Sequence, residues 1–187
     1  MEPTSTSRER EERFRDVYDA GYADVLRFVR RRVHPAHAED VVGDVMLVAW
    51  RRLDDVPAEL SDARAWLFGV ARRTLLNARR REDRQGAVAV RLAKLGQLAD
   101  AGAHPDLVAH RVDIATAWPH LRASEQEAIS LSVFDELSAP EAAAVLGITA
   151  VAFRLRLSRA RRSLRRLLES TEPEDLPGLP ATDRSDR

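Results

Sequence analysis

The 187-residue sequence contains no cysteine, which removes disulfide scaffolds, thiolate metal sites, cysteine nucleophiles and thiol redox sensing together. Aromatic residues are scarce at 5%, and glycine and proline number only 8 and 9, so collagen-like and Pro/Gly low-complexity chains are excluded. Lysine is almost missing. Lys94 is the single example, and arginine supplies the rest of the 30 basic side chains. Long apolar runs are lacking too: the longest compact one, Val45-Met46-Leu47-Val48-Ala49-Trp50, falls far short of the roughly 20 residues that span a bilayer. The opening residues, Met1-Glu2-Pro3-Thr4 and then Ser7 to Glu12, are polar and carry no apolar signal core. The expectation is a cytoplasmic protein with no membrane insertion. There is no Walker-type glycine loop and no convincing nucleophile–base pairing, so neither an enzyme nor a cofactor is expected.

What is present is charge, and it is sorted. Acidic and basic side chains balance at 30 each, but the balance is not local. Glu39 to Asp62 holds seven acids against Arg51 and Arg52, a balance of −5, whereas Ala63 to Arg84 holds seven arginines against two acids, or +5. Ile148 to Leu168 carries seven arginines and no acid, and Glu169 to Arg187 returns to −4. Two basic segments and one acidic segment point to a polyanion and to a separate basic protein partner.

Apolar residues make up 44% of the chain, enough for one large or two small domains. Phe14, Val17, Tyr18, Tyr22, Val25, Leu26, Val29 and Val33 follow a helical stripe that Pro35 ends. A second helix is predicted from Ala38 to Leu53, with Val41, Val42, Val45, Val48, Ala49 and Leu53 inward. Asp62 is a plausible N-cap for a third, which buries Trp66, Leu67, Val70, Ala71, Thr74, Leu75 and Ala78. From Asp83 to His110 the pattern weakens around Gly86, Gly96, Gly102 and Pro105, which reads as a linker with one transient helix near Val90–Leu98.

Beyond it, Val112 to Leu121 can form a helix limited by Pro119. Ser124-Glu125-Gln126-Glu127 reads as a capping box ahead of a helix with Ile129, Val133 and Phe134 inward, and Ser138-Ala139-Pro140-Glu141 repeats the signal. Gly147 stops that helix, Thr149 caps a long final one to about Leu168, and the tail after it is expected to be disordered. A short helix, a glycine turn and a capped arginine-rich helix is helix-turn-helix grammar. The predicted architecture is all-α: two small helical domains joined by a flexible linker, the second a helix-turn-helix.

These motifs carry a resemblance. Ser124-Glu125-Gln126-Glu127-Ala128-Ile129, Leu137-Ser138 through Ile148, and Arg154 to Arg161 resemble region 4 of extracytoplasmic-function sigma factors of bacterial RNA polymerase. Ala38-Glu39-Asp40-Val41-Val42-Gly43-Asp44-Val45 with Trp50-Arg51 resembles their region 2 core-binding helix, and Ala65 to Arg72 with Arg79-Arg80-Arg81 resembles the promoter-melting helix that follows. The resemblance implies region 2 over 10–84, a linker over 85–111 and region 4 over 112–168, flanked by disordered ends at 1–9 and 169–187. It also implies the partners: the β′ and β subunits of core polymerase, promoter DNA and an anti-sigma factor.

On that footing Asp40, Asp44, Val48, Trp50 and Arg51 are candidates for polymerase docking, with Trp50 either a hot spot or a core residue. Trp66, Arg72, Arg73, Asn77, Arg79 and Arg80 are candidates for the −10 strand; Trp66 also fits the buried stripe. Thr149, Ala150, Arg154, Arg156, Arg159 and Arg161 are candidates for the −35 element. The family commonly has Asn at Arg73, Asp at Asn77 and Lys-Ser at Arg154-Leu155, and these positions lie where bases would be met, so the resemblance does not carry a promoter sequence preference over to this chain.

A stand-alone helix-turn-helix regulator is the alternative, although it leaves the acidic helix and the first basic helix without a task. His34-x-x-His37-x-Glu39-Asp40 is the one cluster that suggests a metal, but its loop position and spacing do not suit one, and none is expected. The acidic tail beside the basic final helix is a candidate shield for it.

Overall fold

The computed structural model describes residues 5–82 and 112–170, and side chains over 7–78 and 112–170. The expected linker helix near Val90–Leu98 and the acidic tail beyond Ser170 lie outside the described residues. Those described are helical, with no strand among them.

Three helices build the first domain: α1 (Ser5–Arg30), α2 (Ala38–Arg51) and α3 (Leu60–Glu82). The α1 stripe buries Val17, Val25, Phe28 and Val29, and Pro35 opens a 3-10 turn over Pro35–His37 that redirects the chain into α2. Along α2, Ala38, Val42, Val45, Met46 and Ala49 face inward. Leu53 belongs to a separate 3-10 turn, Leu53–Asp55, not to α2 as expected. Nor does α3 start at an Asp62 cap: its helical residues begin at Leu60, and Asp62 lies in the first turn. There its carboxylate still faces the positive helix pole. Leu67, Phe68, Ala71 and Leu75 close the core, with the Phe28 and Phe68 rings stacked at 4.8 Å. Gly21 permits this approach, since a Cβ there would clash with Leu67 Cδ1.

The second domain opens with helical residues 112–117 (α4), which Pro119 converts to a 3-10 turn over Trp118–His120. Next comes α5 (Ala123–Ile129), and the sequence misplaces its cap. Glu125, not Glu127, turns back to accept the Arg122 backbone N–H at 3.0 Å. Glu127 is buried elsewhere, in an ion pair with Arg72. The helix then widens into a π-turn, Ser130–Phe134, where the Asp135 N–H reaches back to the Ser130 carbonyl at 3.0 Å. That extra residue shifts the register. Val133, expected inward, is 52% exposed, and Asp135 is carried into the interior instead.

The last two helices follow their punctuation closely. In α6 (Ala139–Leu146) the Glu141 carboxylate accepts the Ser138 N–H at 2.7 Å. Gly147 takes the left-handed turn at φ 68°, and Thr149 Oγ1 accepts the Ala152 N–H to open α7 (Ala150–Glu169). Each such cap stabilises by about 1 kcal/mol. Phe153 and Ala160 are the buried residues of α7.

The two domains do not stand apart. Ala128, Leu131, Leu137, Ala142, Ala143, Val145, Leu146 and Phe153 join the same buried cluster as Val25, Phe28, Leu67, Phe68 and Ala71. The joint runs along α3 and α6.

Candidate nucleic-acid and protein interfaces

The acidic helix α2 turns one face to water. Asp40 and Asp44, one helical turn apart, are exposed, as is Arg51 at the far end. Val48 is half-buried against the core. Sequence reasoning missed Leu47, which is 46% exposed between Asp44 and Arg51 on the same face. The signal was legible in the spacing: Leu47 lies three residues after Asp44 and four before Arg51, on the face of the acids and not on the inward stripe. Trp50 is half-buried at the seam of α1 and α2. Phe14 meets its ring edge-on at 5.2 Å, and the Arg10 guanidinium lies over it and donates to its carbonyl at 2.7 Å. Its edge still lines a shallow apolar hollow with Glu11, Phe14, Arg15 and Tyr18.

The basic helix α3 is engaged with the second domain. Arg72 donates through Nε to Glu127 Oε1 at 2.6 Å and through Nη2 to Oε2 at 3.3 Å, a two-pronged grip with both side chains largely shielded. Arg73 is exposed but folds back to donate to the Gly69 carbonyl at 3.2 Å, and it lines a cleft shared with Trp66, Pro140, Glu141 and Ala144. Trp66 is half-buried against the core with Arg52 over its ring, so it serves packing while one face lines that cleft. Asn77 is exposed. The side chains of Arg79 and Arg80 lie outside the described residues.

Further ionic contacts, which the sequence did not suggest, tie the domains together. Asp135 is fully buried and accepts from Arg31 and from Arg32 Nη2, the latter at 3.1 Å. Arg32 is fully buried too; it donates to the Phe28 carbonyl at 2.8 Å and lies 3.4 Å above the Phe28 ring. Burial pulls its guanidinium pKa below the ordinary arginine value, and the Asp135 charge opposes the shift. Arg64 donates to the Asp135 backbone carbonyl at 2.7 Å and pairs with Asp24.

On α7 the candidate arginines divide between two surfaces. Arg154 and Arg161 are exposed and line one hollow with Ser158, Arg162 and Arg165. Arg159 faces another, walled by His120, Arg122, Arg162 and Arg166. Arg156 is only half-exposed beside the buried flank. Thr149 is committed to its cap and Ala150 is packed against the core. Val151 and Leu155 add apolar surface beside the arginines, at 62% and 54% exposure.

His34 and His37 lie with ring centres 6.1 Å apart, and His34 Nδ1 accepts the Ala36 N–H at 3.3 Å. Among the described residues no three His, Asp or Glu side chains gather as a metal would need, and no helix is long and apolar enough to cross a membrane.

Comparison with known proteins sets these surfaces in context. Residues 17–85 match sigma-70 region 2, and residues 111–164 match sigma-70 region 4. The chain is 32% identical over 163 residues to the ECF RNA polymerase sigma factor SigL of Mycobacterium tuberculosis, covering 83% of this chain and 88% of SigL. It is 36% identical over 141 residues to the RNA polymerase sigma factor CnrH of Cupriavidus metallidurans, covering 71% and 73%. The solved structure of CnrH with the cytosolic domain of CnrY aligns at TM-score 0.56 and 25% identity, over 84% of this chain and 88% of that one. RpoE of Bartonella quintana, solved with the anti-sigma factor NepR, shares the fold at TM-score 0.52 and 24% identity, over 89% and 98%.

Proposed function

The chain belongs to the extracytoplasmic-function sigma factors of bacterial RNA polymerase, and from that premise we propose how its surfaces divide the work. It acts as a sigma factor, binding core polymerase, recognising promoter −35 and −10 elements and promoting initiation. It catalyses no reaction of its own and works in the cytoplasm beside the polymerase. The observation that carries the reading is the charge sorting along the chain. One exposed acidic helix face and two arginine-rich helices occur in a single chain whose two halves match region 2 and region 4.

The domain limits are 10–84 for region 2, 85–111 for the linker and 112–168 for region 4. Asp40, Asp44, Leu47 and Arg51 form the docking face for the β′ subunit, with Val48 and Trp50 holding its shape from behind. An acidic face with one apolar residue at its centre suits a basic helical partner, because the charges steer approach and the apolar contact resists dissociation. Region 4 lays α7 toward the −35 duplex. Arg154 and Arg161 reach phosphates from the exposed face, while the start of α7, fixed by the Thr149 cap and the packing of Ala150, presents Val151 to base edges. Arg156 and Arg159 flank that contact.

Region 2 takes the unwound −10 strand along α3. Arg72, Arg73, Arg79 and Arg80 track the backbone, Asn77 meets a base edge and Trp66 offers a partly exposed ring. Each domain alone binds weakly, and joining them on one chain and one polymerase multiplies the two affinities. An anti-sigma factor is the expected inhibitor, since the similar CnrH and RpoE were solved with the cytosolic domain of CnrY and with NepR respectively.

Reconstitution with core polymerase, followed by run-off transcription from a genomic fragment library, tests the reading. Initiation at a defined set of sites that depends on this chain is expected. Failure to bind core at all would overturn it and leave a stand-alone DNA-binding module.

A further inference from the structure

We propose that Val151 and Leu155 read thymine methyl groups in the −35 duplex, so that the start of α7 selects its sequence by apolar contact. This rests on the reading of α7 as the −35 helix. The first turn of that helix offers a base edge almost nothing polar. Thr149 Oγ1 is spent accepting the Ala152 N–H, Ala150 packs on the core, and Phe153 is buried. Ahead of Arg154, only Val151 and Ala152 stand exposed on the helix. Leu155 follows Val151 by one turn. These two are the large apolar side chains of α7 that face water, at 62% and 54% exposure. They lie on the side opposite Phe153 and Ala160, the buried residues of the helix.

The charge around the pair says what covers it. Arg154 and Arg161 border it on one side, Arg159 and Arg166 on the other, and Arg162 continues its line, all of them exposed. No acid precedes Glu169 on α7. An apolar patch set among arginines suits a polyanion that itself presents apolar groups. In the major groove of DNA that group is the C5 methyl of thymine, since the other bases show only donors and acceptors there.

The spacing agrees. Val151 and Leu155 are separated by about 6 Å along the helix axis, close to two base steps of roughly 3.4 Å. Two thymines within two steps of each other can therefore meet both side chains at once. Affinity and selectivity then come from different residues. The arginines hold phosphate, which every sequence offers and salt weakens. The two apolar side chains supply a contact that depends on sequence and not on salt.

The test removes the methyl alone. Holoenzyme reconstituted with the full chain first selects duplexes from a pool randomised over the −35 segment, and the best binders should fix thymine at one or two positions. Deoxyuridine, which lacks only the C5 methyl, then replaces each thymine in turn, with affinity read by fluorescence anisotropy. Burying one such carbon is worth about fourfold in affinity. Deoxyuridine should therefore weaken binding by about that factor at each position and leave the salt slope unchanged, because no phosphate contact is lost. Val151→Ala should abolish the penalty at one position and Leu155→Ala at the other. Both side chains lie on the surface, so the variants should melt with the parent.

Deoxyuridine tolerated throughout the −35 duplex, or a penalty that both alanine variants retain, overturns the proposal. The salt slope of Arg154→Ala with Arg161→Ala separates it from the reading beneath it. If that slope flattens while deoxyuridine is tolerated, α7 lies on the duplex and the methyl contacts are what fail. If the slope holds as well, α7 is not the −35 helix and both readings fall.

Discussion

The two faces of α7 make unequal predictions about salt. Each phosphate that a protein neutralises on B-DNA contributes about −0.9 to the slope of log affinity against log salt. Arg154 and Arg161 are exposed together on one face, whereas Arg156 sits half-buried on the flank beside the core. Arg154→Ala with Arg161→Ala should therefore flatten the slope by about 1.8. Between 50 and 200 mM salt, a fourfold change, that difference shrinks the salt-induced loss of affinity by about twelvefold. Arg156→Ala, chemically the same change, should leave the slope within error of the parent.

Fluorescence anisotropy of reconstituted holoenzyme on a −35 duplex, at five or six salt concentrations, reads all three lines. Polymerase contacts add the same slope to each and cancel in the difference. Parallel lines for the double variant would remove Arg154 and Arg161 from the phosphates. A flattened line for Arg156→Ala would mean that α7 meets DNA through its other flank.

Other surfaces give equally direct expectations. Asp40→Arg with Asp44→Arg should weaken core-polymerase binding by at least about tenfold, measured by titration, while the helical circular-dichroism spectrum is unchanged; normal binding would move the docking face elsewhere. Gly147→Ala puts a side chain into the left-handed turn at φ 68° with nothing crowding it, so urea denaturation should show a loss of about 1–2 kcal/mol and no more. Gly21→Ala instead drives a methyl into Leu67 and should cost about 1–3 kcal/mol through overpacking. Removing residues 172–187, which carry most of the acidic tail beside the basic helix, should raise duplex affinity and steepen its salt dependence; no change in either would dismiss the tail as a shield.

Much of the fold was legible because its signals are local. Val42, Val45 and Ala49 on α2, the Glu141 carboxylate at the start of α6, and Gly147 followed by Thr149 each act within a few residues of themselves. In the second domain the reading slipped where a distant partner had intervened. Ser124-x-x-Glu127 has the letters of a capping box, but Glu127 is claimed by Arg72, 55 residues upstream, so the helix starts earlier and Glu125 takes the capping role. Val133 was assigned inward on a 3.6-residue period that the π-turn breaks. One extra residue in that turn is what delivers Asp135 to Arg32. No local propensity in Ser130–Phe134 announces it, because the stabilisation that favours it lies in the other domain.

The candidate site was read one step less well than the fold, for a reason specific to arginine. An arginine-rich helix declares that an anion is near without declaring which one. Arg72 and Arg154 look alike in sequence, each with other arginines close by. In the folded chain Arg154 is open to solvent, while Arg72 grips a carboxylate from its own molecule. Charge counting along the sequence cannot separate them, because the acids that matter, Glu127 and Asp135, lie outside the strongly acidic segments. What distinguishes them is burial. An acid that is nearly or fully buried must have a cation beside it, and once Glu127 and Asp135 are seen to be buried, the search for their partners leads to Arg72, Arg31 and Arg32. The buried charges mark what the chain keeps for itself.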